Sequence, residues 1–427
     1  MKAVISNRIY LDVNQDTKEK LREKLTYRIP RHRSDLPPEI IRSMRDIRPT
    51  VVSIPSGRTN MIPEGYEIID KRINAQIEFP KFKFTLRPEQ EVIFNQVNSS
   101  CRIKAPPSWG KTFVGIAIAA KLKVKTLIVT HNVSLRRQWE KEVVKTLGIQ
   151  PGVVGSGIFN INSPVVVGNI QTVSNKWKEL SKEFGLVMLD ECHHCPASTF
   201  ASVADTSHAK YIIGLSASDK RKDGRHVLFN DYFGDEVYEA TRSNAMDPAV
   251  EIIPVPIRFI DGMGSWPEKV NHLCNNIDYI KYCAGIAKAY AERGHKVLAV
   301  GPRVGFLEKC AKLVGKRSIC VTSKVSNETR DNLEGLIESG RLEIIFGTQS
   351  IFSEGISIPP LSVILLLGPI NNDPLLEQLI GRIERIYPNK LQPIVADVHL
   401  IGKTVQNQAS ARMNYYISKG YPISYIR

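Results

Sequence analysis

The chain has 427 residues, of which 42% are apolar and 24% are charged. These fractions are typical of globular protein and exclude a mainly disordered, collagen-like or coiled-coil chain. The net charge of +15 makes a polyanion an expected partner, although a basic balance also serves solubility alone.

The first 83 residues are predicted to form a small basic α+β module. Residues 8–13 alternate like a strand, and residues 17–27 are predicted to form a charged amphipathic helix. A proline-rich stretch follows, and it carries a cluster of arginines: Arg28, Arg31, Arg33, Arg42, Arg45 and Arg48.

From residue 84 onward, strands alternate with helices, which predicts parallel sheets covered by helices on both faces. In the unit spanning 84–241 we predict strands at 126–129, 164–167, 186–189 and 211–215, and helices at 112–122 and 135–147. The segment 242–267 contains four prolines and is predicted to be a linker. In the unit spanning 268–427 we predict helices at 278–293, 306–314 and 327–339, and strands at 297–300, 318–321, 342–347 and 363–367.

A phosphate-binding pattern follows a short predicted strand in the first unit. Ala105-Pro106-Pro107-Ser108-Trp109-Gly110-Lys111-Thr112 fits G-x-x-x-x-G-K-[ST], with Ala105 at the first glycine position. Gly110 would let the backbone approach a phosphate, Lys111 would reach the β- and γ-phosphates, and Thr112 would bind Mg²⁺. Small residues usually fill this turn, so Trp109 is expected to point outward. The alternative is a chance Gly-Lys-Thr after a strand.

Two carboxylates end a later apolar strand. Asp190 is suited to holding Mg²⁺, and Glu191 to orienting and deprotonating an attacking water. The alternative is an acidic turn in which Asp190 serves as a helix N-cap. The adjoining Cys192-His193-His194-Cys195 has no second ligand pair at a suitable spacing, so no zinc is expected.

With these motifs in order from residue 86 to 385, the chain resembles the superfamily 2 helicases of the DExH type. Asp190-Glu191-Cys192-His193 resembles motif II, residues 214–218 resemble motif III, and residues 353–359 resemble motif V. Residues 378–385 carry Q-x-x-G-R-x-x-R, the pattern of motif VI. The resemblance implies an α/β fold of two tandem RecA-like parallel-sheet domains behind the small N-terminal α+β domain, with ATP and Mg²⁺ as cofactors.

The resemblance also implies roles for individual residues. Nucleotide contacts are implied for Arg87, Gln90, Ala105, Ser108, Gly110, Lys111, Thr112, Asp190 and Gly355, with Thr112 and Asp190 on Mg²⁺ and Gln90 on the base. Nucleic-acid contacts are implied for Thr130, Gln171, Thr172 and Thr348, and coupling of the two sites for His193, Ser216 and Ser218. Catalysis is implied for Lys111, Glu191, Arg382 and Arg385.

The two arginines of motif VI lie three residues apart and are predicted to share one helix face. In the family the nucleotide lies between the two RecA-like units, so Arg382 and Arg385 would neutralise charge developing on the γ-phosphate. The alternative is a surface helix with ordinary ion pairs.

Within the superfamily, the chain resembles the XPB, RecG and phage UvsW-type branch-migration DNA helicases, through Arg221 and Asp223 and through its basic N-terminal module. The resemblance implies a monomeric ATP-dependent DNA helicase or translocase that acts on forked or branched DNA in recombination, repair or replication. The N-terminal arginines would then hold duplex DNA, or alternatively form a solvated face that packs on the first motor unit.

Other functions remain open from the residues alone. They are an RNA helicase, a nucleotide switch without motor activity, and the motor of a restriction or remodelling machine. No apolar run approaches the roughly 18 residues of a membrane span, and the N-terminus lacks a signal-peptide pattern. We therefore expect no membrane partner and a location in the cytoplasm, that of the bacterial host if a phage encodes the chain.

Overall fold

The computed structural model describes residues 1–427 apart from 31–36, 108, 195–197, 218–222, 242–244, 263, 323–324, 350–357, 371–372 and 427. The chain divides into two compact units, Met1–Arg242 and Ser243–Arg427. The predicted boundary between residues 83 and 84 lies inside the first unit and stays a prediction.

A five-stranded sheet and a separate hairpin form the N-terminal part of the first unit. The sheet order is β5-β6-β2-β1-β7, and β3 pairs with β4 in the hairpin. Apolar residues of the sheet pack with Leu21 and Leu25 at the end of α1, whose first turn is capped by Asn14. The elements are β1 (Lys2–Ile5), β2 (Arg8–Asp12), α1 (Gln15–Lys24), β3 (Thr26–Ile29), β4 (Glu39–Arg42), β5 (Arg45–Arg48), β6 (Val51–Pro55) and β7 (Glu67–Asp70).

The rest of the first unit is an eight-stranded sheet of order β11-β10-β12-β9-β13-β14-β8-β15, parallel except for β10 with β11. Its strands are β8 (Cys101–Lys104), β9 (Thr126–Thr130), β10 (Gly152–Gly155), β11 (Ile158–Asn160), β12 (Val165–Asn169), β13 (Leu186–Asp190), β14 (Tyr211–Ser216) and β15 (Val237–Glu239). Its helices are α2 (Pro88–Gln96), α3 (Lys111–Leu122), α4 (Val133–Leu147), α5 (Ile170–Asn175), α6 (Trp177–Leu180), α7 (Ser198–Asp205) and α8 (Phe229–Phe233).

Both faces of this sheet are covered. Successive strand residues point to opposite faces, and Leu127 and Ile128 accordingly belong to two different apolar clusters, as do Val187 and Met188. The predicted parallel sheet between two layers of helices is therefore confirmed.

The second unit has a seven-stranded parallel sheet of order β18-β19-β17-β20-β21-β16-β22. Its strands are β16 (Ala249–Arg258), β17 (Val297–Gly301), β18 (Ser318–Val321), β19 (Ile344–Thr348), β20 (Val363–Leu366), β21 (Ile394–Ile401) and β22 (Ile423–Tyr425). Its helices are α9 (Trp266–Asn275), α10 (Ile277–Glu292), α11 (Val304–Val314), α12 (Asn327–Asp331), α13 (Leu333–Glu338), α14 (Asp373–Ile380) and α15 (Lys403–Ser418). Leu298 and Ala299 again lie in clusters on opposite faces.

The predicted linker at 242–267 is corrected by β16, a ten-residue strand inside the second sheet. Val250 and Ile252 are fully buried on it. Strand β22 pairs with only three residues of β16, at positions 250–252. Pro254 and Pro256 come after them, where this side of β16 has no neighbouring strand among the described residues and is an open edge. A proline has no N–H to donate, and an edge is where a strand tolerates it.

The predicted helix at 327–339 is divided at Asn332 into α12 and α13. Within the described part of the chain, we find no helix with both the length and the apolar character needed to cross a bilayer.

Candidate nucleotide-binding site

The phosphate-binding pattern forms the turn between β8 and α3. Gly110 lies directly before α3 with φ 97°, a left-handed conformation that favours glycine. A Cβ at this position would lie 2.7 Å from Gln90 Nε2. Lys111 Nζ donates to the carbonyl oxygen of Ala105 at 3.1 Å, and Thr112 is half-buried beside it on the first turn of α3. The N-terminus of α3 therefore presents the residues that a phosphate-binding helix requires.

Gln90 is buried against the backbone of this turn. Its Nε2 donates to the carbonyl oxygen of Trp109 at 2.8 Å, and its Oε1 accepts from the Arg87 N–H at 3.1 Å. The Arg87 guanidinium donates to the same Trp109 oxygen. Arg87 and Gln90 thus hold the phosphate-binding turn in place, while their contact with a base stays a prediction.

Trp109 corrects one expectation, because it does not point outward. Trp109 is only 3% exposed and packs in the apolar cluster that contains Ile103 and Val114. An indole buries a large apolar surface, which favours this placement. Its Nε1 is buried and has no acceptor among the described residues.

Asp190 ends β13 and is buried. Its Oδ2 accepts from Trp139 Nε1 at 2.8 Å, and its Oδ1 accepts from the Glu191 N–H at 3.0 Å. Burial, and after it the negative charge of Glu191, raise the pKa of Asp190 to about 6. A cation bound beside this carboxylate would oppose both effects.

Glu191 contacts Lys111 at the phosphate-binding turn and, through His193, is linked to Ser216 on β14. Its φ of 50° lies in the left-handed region, which costs a residue with a side chain about 1–2 kcal/mol. Its Oε1 lies 3.8 Å from Lys111 Nζ, and its Oε2 lies 3.3 Å from His193 Nδ1. His193 Nδ1 is also 3.0 Å from Ser216 Oγ, so the structure brings His193 and Ser216 together as the resemblance implied.

These residues fit a Mg²⁺–nucleoside triphosphate. Thr112 and Asp190 offer the hard oxygen ligands that Mg²⁺ prefers, and phosphate oxygens and water usually complete its shell. Among the described residues, no group of three or more His, Cys, Asp or Glu side chains forms a metal site. Cys195 of the cysteine–histidine cluster lies outside those residues.

The predicted nucleic-acid contacts of the first unit lie at the carboxyl ends of β9 and β12. Gln171 is exposed and Thr172 is half-buried, both on α5. Thr130 is wholly buried and its hydroxyl donates to the carbonyl oxygen of Asn132 at 3.1 Å. The Thr130 hydroxyl is thus enclosed by its neighbours, and the predicted contact of Thr130 with nucleic acid stays a prediction.

Two polar residues near these strand ends were not assigned a role from the sequence. Trp139 belongs to the segment that follows β9, and only the fold places its indole on Asp190. Asn169 ends β12, is 6% exposed, and has no partner for either amide atom within the described residues. Unsatisfied buried amides are rare in folded proteins, and nothing in the sequence pattern distinguishes this asparagine.

In the second unit, the two arginines of motif VI do not share a helix face. Helix α14 ends at Ile380, and the Arg382 N–H donates to the carbonyl oxygen of Leu379 at 3.1 Å in a tighter turn. Arg385 forms an isolated bridge with Ala245. The expectation of one shared helix face is wrong, because the helix ends at Ile380, before either arginine.

Both motif VI arginines are half-buried, and burial lowers the pKa of Arg385. Thr348 is half-buried at the end of β19. Ser108, Ser218, Arg221 and Gly355 lie outside the described residues, so their predicted roles are not addressed by the structure.

Comparison with known proteins gives two family models that match in tandem. "Type III restriction enzyme, res subunit" matches residues 71–221, and "Helicase conserved C-terminal domain" matches residues 268–387. The chain is 36% identical to the protein called probable helicase D10 of Escherichia phage T5, over 99% of this chain and 95% of the relative.

The chain is also 23% identical to the ATP-dependent DNA helicase uvsW of Enterobacteria phage T4, over 73% of this chain and 67% of the relative. A solved structure of S. cerevisiae Dbp5 bound to RNA and ADP BeF3 has a TM-score of 0.59 at 13% identity, over 79% of this chain and 89% of that one. At that identity the likeness shows the fold alone.

Proposed function

The chain belongs to the superfamily 2 helicases, and from this premise we propose that it is an ATP- and Mg²⁺-dependent DNA helicase or translocase acting on forked or branched DNA. The basic net charge supports a polyanionic partner. DNA is favoured because the T4 relative is a DNA helicase by name. Branch migration and fork remodelling in recombination, repair or replication are the processes that such an activity would serve.

One observation carries this proposal. Lys111, Glu191, His193 and Ser216 form a continuous chain of contacts from the start of α3 to the end of β14. The carboxyl ends of parallel strands are where α/β folds bind their ligands. A cation, a strained carboxylate and a histidine–hydroxyl pair at that edge suit phosphate transfer to water.

The residues around the nucleotide site have the following proposed roles. Lys111 neutralises the β- and γ-phosphates, and Glu191 orients the attacking water and accepts its proton. Thr112 and Asp190 would hold Mg²⁺, which supplies charge neutralisation on the phosphate oxygens when it is bound. We assign Arg382 and Arg385 to the negative charge that develops on the γ-phosphate.

Movement along nucleic acid would follow from a change in contacts at the γ-phosphate. A nucleotide shifts a conformational equilibrium only by its differential affinity for two states, and hydrolysis removes the γ-phosphate contacts that create the difference. Gln171, Thr172 and Thr348 are the proposed backbone contacts, which carry no sequence information.

The test is steady-state ATP hydrolysis by wild type and Lys111→Ala without nucleic acid and with single-stranded DNA, duplex DNA, forked DNA, a four-way junction and RNA. Lys178→Ala, which removes an exposed lysine on α6, is the matched control. We expect stimulation by forked or junction DNA in wild type and Lys178→Ala, and its loss in Lys111→Ala.

Other outcomes would replace the proposal. Stimulation by RNA alone would assign an RNA helicase. Hydrolysis that no nucleic acid stimulates would favour a nucleotide switch without motor activity. Undiminished hydrolysis by Lys111→Ala would remove the phosphate-binding turn from the reaction.

A further inference from the structure

The β3–β4 hairpin has two faces of different character. Its strands pair antiparallel, with Arg28 opposite Ile40 and Tyr27 opposite Ile41. Tyr27 and Ile41 pack against the apolar cluster beneath the eight-stranded sheet. Because side chains alternate along a strand, Arg28, Ile40 and Arg42 lie on the opposite face, where all three are exposed.

Two groups of contacts fix this hairpin to the segment that follows motif III. Arg225 Nη2 donates to both carboxylate oxygens of Glu39 at 2.8 Å. Tyr27 Oη donates to Asp231 Oδ1 at 2.8 Å, and Arg58 Nε donates to the same oxygen at 2.6 Å. These contacts hold the hairpin, and with it the outward face, in a fixed position on the first unit.

Several arginines near the hairpin form ion pairs with carboxylates. Arg22 is paired with Asp46, Arg45 with Asp205, and Arg225 with Glu39. Arg28 and Arg42 differ, since the described residues offer neither of them a carboxylate. Within the described residues, this surface thus holds two guanidinium groups without a carboxylate partner.

The register places these two arginines close to each other. Arg42 is opposite Thr26, two positions from Arg28 along β3, so the two form a diagonal pair about 7 Å apart on one face. Two like charges at that spacing repel, and an array of anions would relieve the repulsion. Guanidinium groups are suited to phosphate oxygens.

We propose that Arg28 and Arg42 on the outward face of the β3–β4 hairpin contact backbone phosphates of duplex DNA. This inference rests on the proposed function and specifies where the duplex part of a branched substrate binds. Duplex is favoured over single strands because single-strand sites use aromatic side chains for base stacking, and the described residues of this face include none.

The arginines of the N-terminal module therefore divide between the two interpretations that the sequence left open. Arg8, Arg45 and Arg58 are paired with carboxylates of the α/β part of the unit. Arg28 and Arg42 are directed to solvent and remain available for DNA.

The experiment compares Arg28→Ala/Arg42→Ala with Lys20→Ala/Lys24→Ala, which removes two exposed positive charges from α1 of the same module. Affinity of the full chain for a blunt duplex and for single-stranded DNA is measured between 50 and 200 mM salt. Each phosphate contact contributes roughly 0.9 to the slope of log affinity against log salt. The arginine variant is expected to lose about 2 from the duplex slope, and the lysine variant is expected to keep the wild-type slope.

Three results would overturn the inference: an unchanged duplex slope in the arginine variant, an equal loss in the lysine variant, or a loss confined to single-stranded DNA. Thermal unfolding of both variants checks that the fold is kept. The proposed function has a separate test: it is contradicted if DNA does not stimulate hydrolysis by wild type. The salt slopes are measured without ATP and do not depend on that result.

Discussion

Trp139 Nε1 donates a hydrogen bond to Asp190 Oδ2 at 2.8 Å. The donor is on α4 and the acceptor is the carboxylate proposed to hold Mg²⁺ at the end of β13. The indole is fully buried and lies against α3, where a Cβ on Gly115 would come within 2.9 Å of it. Trp139 is thus proposed as a positioning residue, which would act on Mg²⁺ only through Asp190.

Replacing Trp139 by phenylalanine should keep the aromatic packing and remove the N–H. Loss of a partner that orients a metal ligand typically costs about 10–100-fold in metal affinity or activity. We expect a rise of that order in the Mg²⁺ concentration needed for half-maximal hydrolysis, and weaker Mg²⁺-dependent binding of a fluorescent ADP. Binding without Mg²⁺ should change little.

Trp177→Phe is the control for this variant. Its Nε1 donates to Thr206 Oγ1 at 2.8 Å, away from the nucleotide site. A Mg²⁺ requirement that rises equally in both variants, or in neither, would contradict the assigned role of Trp139.

His193 and Ser216 join motif II to motif III through a 3.0 Å contact. If this contact couples hydrolysis to movement, His193→Ala should retain hydrolysis and lose DNA unwinding. Ser216→Ala should share that phenotype, and the double variant should be no worse than either single one, because both remove the same interaction.

Unwinding and hydrolysis should be measured on the same forked DNA. Unchanged unwinding by His193→Ala would contradict the coupling role. Equal loss of hydrolysis and unwinding would instead place His193 in the chemical step.

Several features of this site were accessible from sequence because they depend on local order. Asp190 and Glu191 follow an uninterrupted apolar run, and such a run predicts a buried strand whose end carries them. Gly110 and Lys111 belong to a pattern with a known strand–turn–helix context. The predicted meeting of His193 with Ser216 came from the family resemblance.

The predictions that were wrong concern features that depend on tertiary neighbours. Pro254 and Pro256 carry a local breaker signal, yet their strand lies where β22 no longer covers the edge. Trp109 is drawn into a core assembled from distant segments. The regular spacing of Arg382 and Arg385 gave no sign that the helix ends at Ile380.

Arg58 and Asp231 form a buried ion pair between the N-terminal module and α8, at 2.6 Å. Breaking a buried pair by removing one partner leaves an uncompensated charge and costs about 3–5 kcal/mol. We therefore expect Arg58→Met to lower the free energy of unfolding by about 3 kcal/mol, measured by urea denaturation of the full chain.

Arg22→Met is the matched control, because Arg22 pairs with Asp46 where both side chains are about half exposed. Exposed pairs contribute about 0–1 kcal/mol. If the two variants lose the same free energy, the Arg58–Asp231 pair does not anchor the module.

Lys390 follows motif VI, and its Nζ donates to the carbonyl oxygens of Arg385 at 2.7 Å and Pro359 at 3.2 Å. Burial, and after it the positive charge of Arg385, lower the pKa of Lys390 from 10.5 to about 8. Between pH 8 and 10.5, the unfolded chain therefore binds a proton that the folded chain has released. Stability rises with pH wherever the unfolded state binds more protons.

The free energy of unfolding of wild type, minus that of Lys390→Met, should accordingly rise as the pH increases through this window. Urea denaturation at pH values below 8 and near 10 measures the difference, and subtraction cancels every other group that titrates alike in both proteins. Lys288→Met provides the comparison, because Lys288 is exposed on α10 of the same unit and its difference should stay flat. A flat difference for Lys390→Met as well would mean that this lysine keeps an ordinary pKa in the folded chain.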